Sequence, residues 1–203
     1  MELKTKLDSA SYSIGVTIGQ NLRAQGVDEI NLEALSLAIV DVINKKELAV
    51  SEKDAGKVLQ EFFEENNKKR KEKNIAEGKS FLEENAKREG VIALPSGLQY
   101  EVISGGSGNK PSASDKVKTH YHGTLIDGSV FDSSVKRGEP ITFPVGGVIP
   151  GWQEALKLMS VGSKWKLYVP YNLAYGERGA GAAIPPCSTL IFDVELLEIV
   201  EEN

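Results

Sequence analysis

All eight prolines of this 203-residue chain lie beyond residue 94, the first being Pro95. Proline inside a helix removes a backbone hydrogen bond and clashes with the preceding turn. The stretch before Pro95 is therefore free to be helical, and the stretch after it is rich in turn signals. The apolar pattern changes at the same place. Up to about residue 89 apolar side chains recur at helical spacing, and from about 91 onward β-branched and aromatic residues alternate between glycines, prolines, asparagines and aspartates. The fold class expected is α+β. An all-helical N-terminal region spans 1–50, a long connecting helix 51–89, and an antiparallel β half-barrel around one short helix 90–203.

The helical region has three segments. Ile14, Ile18 and Leu22 recur every four residues behind Asp8 and Ser9, which suit an N-cap, and Gly26 ends the run. Asn31 caps a second helix, with Glu33 in its first turn and Leu35, Ala38, Ile39, Val42 and Ile43 as its stripe. Ser51 and Asp54 form a variant of the capping box at the start of the third, which has no proline before residue 89 and would be about 55 Å long if continuous. Ala55, Val58, Leu59, Phe62 and Phe63 give that helix an apolar face at first, but residues 64–74 contain no apolar side chain. A helix polar all round bridges solvent between packed bodies or is unstable. Glu64 with Lys68 and Glu65 with Lys69 have the favourable i, i+4 order, which favours the bridge.

Three helices, one much longer than the others, bury little surface. A second copy of the chain is the economical complement, the alternative being a monomeric three-helix bundle packed on the C-terminal domain. A homodimer through the N-terminal helices would cover the Gly15 and Gly19 face together with Phe62 and Phe63. The basic run Lys68-Lys69-Arg70-Lys71 is flanked by acidic residues without interleaved aromatics, and the net charge is −5, so nucleic acid is not an expected partner. No apolar run reaches the roughly 18 residues of a membrane span, and no apolar stretch follows Met1-Glu2-Leu3-Lys4-Thr5-Lys6, so the expected compartment is the cytoplasm. The single Cys187 has no partner for an internal disulfide and reads as a small loop-side packing residue.

In the C-terminal half, strands are expected over 98–104, 116–124, from 130, and over 141–145, 164–169 and 190–199, with a turn at Asp127-Gly128. The helical stretch at 152–158 is the only one expected among them. Aromatic and apolar side chains cluster with turn residues at Tyr121-His122-Gly123, Phe131-Asp132-Ser133-Ser134, Val148-Ile149-Pro150-Gly151-Trp152, Leu173-Ala174-Tyr175-Gly176, Ile184-Pro185-Pro186 and Leu190-Ile191-Phe192. They read as the lining of one apolar cup with a few polar handles, suited to a proline ring.

Those segments, in that order and spacing, resemble the FKBP family of peptidyl-prolyl cis/trans isomerases over roughly residues 95–200. The helical N-terminal region resembles that family's dimeric bacterial branch, the macrophage-infectivity-potentiator type and its small cytoplasmic relatives. The resemblance implies catalysis of X-Pro rotation in proline-containing polypeptide clients, with no cofactor, and macrolides as candidate inhibitors. It implies Trp152 as pocket floor, with Tyr121, Phe131, Val148, Ile149 and Phe192 as walls and Ile141 and Ile184 beside them. Asp132 and Tyr175 become the polar handles, and the Ile149 N–H the donor to a substrate carbonyl. Ile141 and Ala180 depart from members with an aromatic or a larger side chain there. Phe143 and Trp165, without counterparts among the pocket segments, are assigned to the core.

His120 and His122 share one strand face at a spacing compatible with a metal, but a third ligand is missing. No grouping for nucleophilic catalysis and no phosphate loop is readable. The remaining reading of a different class is a dimeric module that binds proline segments as a holdase with little catalysis.

Overall fold

The computed structural model describes residues 2–27 and 29–200. Two compact units divide the chain, Met1–Arg70 and Lys71–Asn203, and the division falls inside its longest helix.

The first unit begins with α1 (Lys6–Ala24). The expectation that Asp8 and Ser9 cap this helix is corrected. Thr5 is the N-cap, its hydroxyl accepting from the Asp8 N–H, while the Asp8 carboxylate accepts from the Thr5 N–H in a reciprocal box. Gly26 ends it as expected. With φ at +75°, it lets the Val27 N–H reach Leu22 O and its own N–H reach Arg23 O, a Schellman ending. In α2 (Leu32–Ile43) the Asn31 side chain accepts from the Ala34 N–H, as its cap position requires. Neither helix contains a buried residue, and Ile14, Leu37, Val42 and Ile43 are each more than half exposed. An added Cβ at Gly15 or Gly19 would meet nothing within 4 Å.

Helix α3 runs unbroken over Glu52–Asn85, through the polar stretch 64–74. Glu65 pairs with Lys69 at 2.7 Å, but Glu64 takes the Gln60 amide instead of Lys68. Lys71 and Asn74, expected to face water all round, are partly buried against other parts of the second unit. The helix stops short of residue 89, and a turn through Gly90, at φ +86°, leads into a strand absent from the expectation, β1 (Val91–Ala93). Three residues are too few to show a period.

The other strands are β2 (Gln99–Ser104), β3 (Lys116–Leu125), β4 (Val130–Ser133), β5 (Ile141–Pro144), β6 (Lys164–Val169) and β7 (Leu190–Val200). They form one antiparallel sheet in the order β1-β2-β6-β7-β3-β4, with β5 also paired to β3. Every second residue of β7, from Leu190 through Phe192 and Val194 to Leu196, points inward. They meet Trp152, Ala155 and Leu156 of α5 (Pro150–Leu158), so the sheet wraps one helix as expected. Proline at N1 starts that helix without sacrificing a bond. The expectation of a single short helix is corrected by α4 (Ser134–Arg137), one turn with its N-cap at Ser133 and its end at Gly138, φ +81°. Trp165 is core, stacked on Tyr100 with centroids 4.2 Å apart. No helix among the described residues is long and apolar enough to cross a membrane.

Candidate active site

At the open end of this half-barrel lies a cavity of about 500 Å³. All ten residues expected at the site line it: Tyr121 from β3, Phe131 and Asp132 from β4, Ile141 from β5, Val148, Ile149 and Trp152 at the start of α5, Tyr175 and Ile184 from the rim segment, and Phe192 from β7. Trp152 is the floor, 5% exposed, with the rings of Phe192, Tyr121 and Phe143 set edgewise to it at 5.1, 5.5 and 5.6 Å. Phe131 meets Phe192 in the same edgewise manner at 5.4 Å. Such T-shaped contacts hold rings in fixed places. Gly123 makes room for them, since a Cβ there would lie 2.6 Å from the Phe131 ring and 3.1 Å from Phe192.

Phe143, assigned to the core from sequence, lines the cavity, as do Gly147 and Ala183. The signal for Phe143 was its place two residues after Ile141 on one strand, which puts both on the same face.

The polar side of the cup is a closed ion pair. Asp132 accepts from the Tyr121 hydroxyl, from the Arg137 guanidinium and, at 2.8 Å, from the Ser133 N–H. Arg137 also donates to the Tyr121 hydroxyl at 3.1 Å and lies over that ring. Burial opposes ionisation of Asp132, but the bonds from Tyr121, Arg137 and Ser133 outweigh it and hold the carboxyl below its ordinary value. Burial, with Asp132 as acceptor, pushes the Tyr121 hydroxyl up. Asp132 therefore stays charged but is neutralised within the site. Its lone pairs are directed at Tyr121, Arg137 and the Ser133 N–H, so orienting Tyr121 is the role its geometry supports. Arg137 was missed because it comes from α4, whose single turn showed no periodicity.

Tyr175 is 43% exposed, and its hydroxyl has no hydrogen bond to any described residue. Ile149 is the N-cap of α5, its carbonyl accepting from the Gln153 N–H at 3.1 Å. The two histidines lie apart from the cup. His120 Nδ1 shares a hydrogen bond with Ser134 Oγ at 3.1 Å and His122 Nδ1 with Ser133 Oγ at 3.0 Å. The same Ser134 hydroxyl accepts from the Tyr121 N–H and donates to the Tyr121 carbonyl, fixing that residue's backbone. Cys187 is fully buried, and burial pushes its thiol up, away from the reactive thiolate form.

An antiparallel half-barrel closing on a helix, with an aromatic floor, an internally neutralised carboxylate and a free rim hydroxyl, defines a protein that grips an apolar ring without attacking it. Comparison with known proteins agrees. Residues 107–197 match the family described as FKBP-type peptidyl-prolyl cis-trans isomerase, and residues 7–102 the domain amino terminal to it. The chain is 54% identical over 194 residues to the FKBP-type 22 kDa peptidyl-prolyl cis-trans isomerase of Escherichia coli strain K12, covering 94% of both chains. It is 45% identical to the outer membrane protein MIP of Legionella longbeachae, covering 97% of this chain and 87% of that one. The crystal structure of FkpA from Escherichia coli superposes with a TM-score of 0.73 at 37% identity over 98% of each chain. The chain belongs to the FKBP-type peptidyl-prolyl cis-trans isomerases, and catalysis of X-Pro bond rotation is its activity.

Proposed function

We propose that the cup accelerates rotation by holding the prolyl ring on Trp152 while the amide twists. The barrier to rotation, about 18–20 kcal/mol, is the amide resonance lost in the twisted state. A twisted amide has less charge separation between oxygen and nitrogen than a planar one, so a water-excluding aromatic cup disfavours the ground state more than the transition state. The observation that carries this reading is the aromatic lining with its one carboxylate already neutralised, which leaves no net charge to favour the planar dipole. The Ile149 N–H and the Tyr175 O–H donate to substrate carbonyl oxygens, and Asp132 and Arg137 hold Tyr121 as a fixed wall. Tyr175→Phe is expected to lower kcat/KM by about fivefold, one hydrogen bond's net contribution of about 1 kcal/mol. A rate equal to wild type would take Tyr175 out of the mechanism.

The functional unit is read as a homodimer acting on proline-containing segments of polypeptide clients. Support comes from the first unit, where α1 and α2 contain no fully buried residue and Leu7, Ile14, Val42 and Ile43 are each at least 62% exposed. So many exposed large apolar side chains on two short helices point to an interface. The open surroundings of Gly15 and Gly19 allow close approach of another helix. Two cups on one dimer raise the effective concentration at which a client is rebound. Sedimentation of the full chain at micromolar concentration is expected to give the dimer mass, and Gly15→Leu with Gly19→Leu to shift it toward monomer. A monomer in the unsubstituted chain contradicts the reading.

A further inference from the structure

The rim of the cup is irregular chain. Residues 174–189 bring Tyr175, Ala180 and Ile184 to the cavity, and the segment turns through left-handed backbone at Gly176, Gly179, Gly181 and Cys187, with φ of 61°, 67°, 55° and 56°. It closes on itself by a bond from the Ala180 N–H to Ile184 O, by the reverse bond, and by one from the Cys187 N–H to Gly176 O. Ile184 and Cys187 anchor it in the core, and an irregular segment of this kind depends on contacts with its neighbours to hold one shape.

Among the described residues, the side-chain hydrogen bonds that tie 177–186 to a segment outside the rim come from α3. Asn74 Nδ2 donates to Pro186 O at 2.7 Å and Lys71 Nζ to a Glu177 carboxylate oxygen at 3.1 Å. Lys71, Asn74 and Gly78 lie three and four residues apart, on one helix face. At Gly78 a Cβ would come within 2.4 Å of Thr189 Oγ1, so the helix passes the base of the rim as closely as a bare backbone allows. The same face is anchored further on, where the Asn85 amide donates to Gln99 at 2.8 Å. A helix fixed on the sheet at one end thus holds the pocket rim at the other. The Lys71 pair is exposed on the Glu177 side and contributes little. The Asn74 bond is partly buried and so carries more of the brace.

We propose that Asn74, with Lys71 in support, is a positioning residue for isomerisation: through Pro186 it keeps the rim in the shape that places Tyr175, Ala180 and Ile184 at the cavity. Without it the rim samples other shapes, and apparent affinity falls with the fraction of molecules that remain competent. The proposal rests on the rim contacting substrate as read above, but one of its readouts does not.

In the full chain, Asn74→Ala is expected to lower kcat/KM on an X-Pro tetrapeptide by about threefold to tenfold, mostly through KM, the range of one net hydrogen bond. Amide exchange at Ala180, Ile184 and Cys187 is expected to accelerate while the β6 and β7 amides exchange as before. Asn74→Asp, of the same size but without the amide donor, is expected to behave like Asn74→Ala. Wild-type kinetics in both variants would overturn the proposal. So would a loss matched by equal acceleration across the sheet, since that marks a merely structural residue. If the rim amides accelerate and kcat/KM does not change, the brace exists but the rim is not a substrate contact, and the proposal falls on that count alone.

Discussion

Trp152→Ala is expected to cost about 3–5 kcal/mol of stability in the second unit, the usual range for deleting a buried tryptophan. The side chain is 5% exposed and carries three edgewise ring contacts, so the space it leaves is bordered by Tyr121, Phe143 and Phe192. The same deletion removes the surface on which a prolyl ring lies. Losing about 2–3 kcal/mol of apolar contact with the substrate corresponds to roughly 30- to 150-fold in kcat/KM. Denaturant unfolding followed by aromatic circular dichroism measures the first effect, and peptide isomerisation well below the unfolding transition the second. A folded variant with undiminished turnover would mean that the ring binds elsewhere.

A chain of residues 71–203 is expected to fold and turn over peptides like the full protein, whereas one of residues 91–203 is expected to lose at least about 2–4 kcal/mol. The shorter piece lacks the partners of several groups that stay behind in the sheet. Gln99, 6% exposed, loses the Asn85 amide and the Leu82 carbonyl. The Tyr168 hydroxyl and Glu101 lose Arg88, and the Tyr168 ring loses Phe81 at 6.0 Å. Leaving even one or two buried polar groups unpaired accounts for the expected loss, and in a domain of this size that lowers Tm by roughly 10 °C or more. Calorimetry on the two pieces decides it, and equal melting temperatures would show that α3 is dispensable to the isomerase unit.

These contacts also mark the limit of what was legible in the chain. The long strands and α5 showed themselves through period-2 alternation and proline punctuation, because burial on one face imposes that pattern. Most of the ten expected site residues stood out as large apolar side chains beside turns, whereas the roles of Asp132 and Tyr175, and the place of Ile141, came from the family resemblance. Polar contacts leave no such pattern. Lys71 and Asn74 read as solvated because helical periodicity counts apolar residues only, yet both are held by hydrogen bonds to the rim. Arg137 stayed hidden because α4 is one turn long, and Phe143 because it was judged singly instead of with Ile141 on the same strand face. The N-cap of α1 was misplaced by three or four residues since Thr5, Asp8 and Ser9 all have capping side chains, and only the reciprocal bonds between Thr5 and Asp8 distinguish them.

The central claim is that an aromatic cup with fixed dipoles rotates the X-Pro bond without an ion, a thiolate or a covalent intermediate. Exchange spectroscopy on a tetrapeptide whose cis and trans forms give separate NMR signals, with the full chain present in catalytic amount and a strong chelator added, tests it directly. The account predicts interconversion faster than the uncatalysed rate, in proportion to protein concentration and unaffected by the chelator. Interconversion at the uncatalysed rate under those conditions would contradict it.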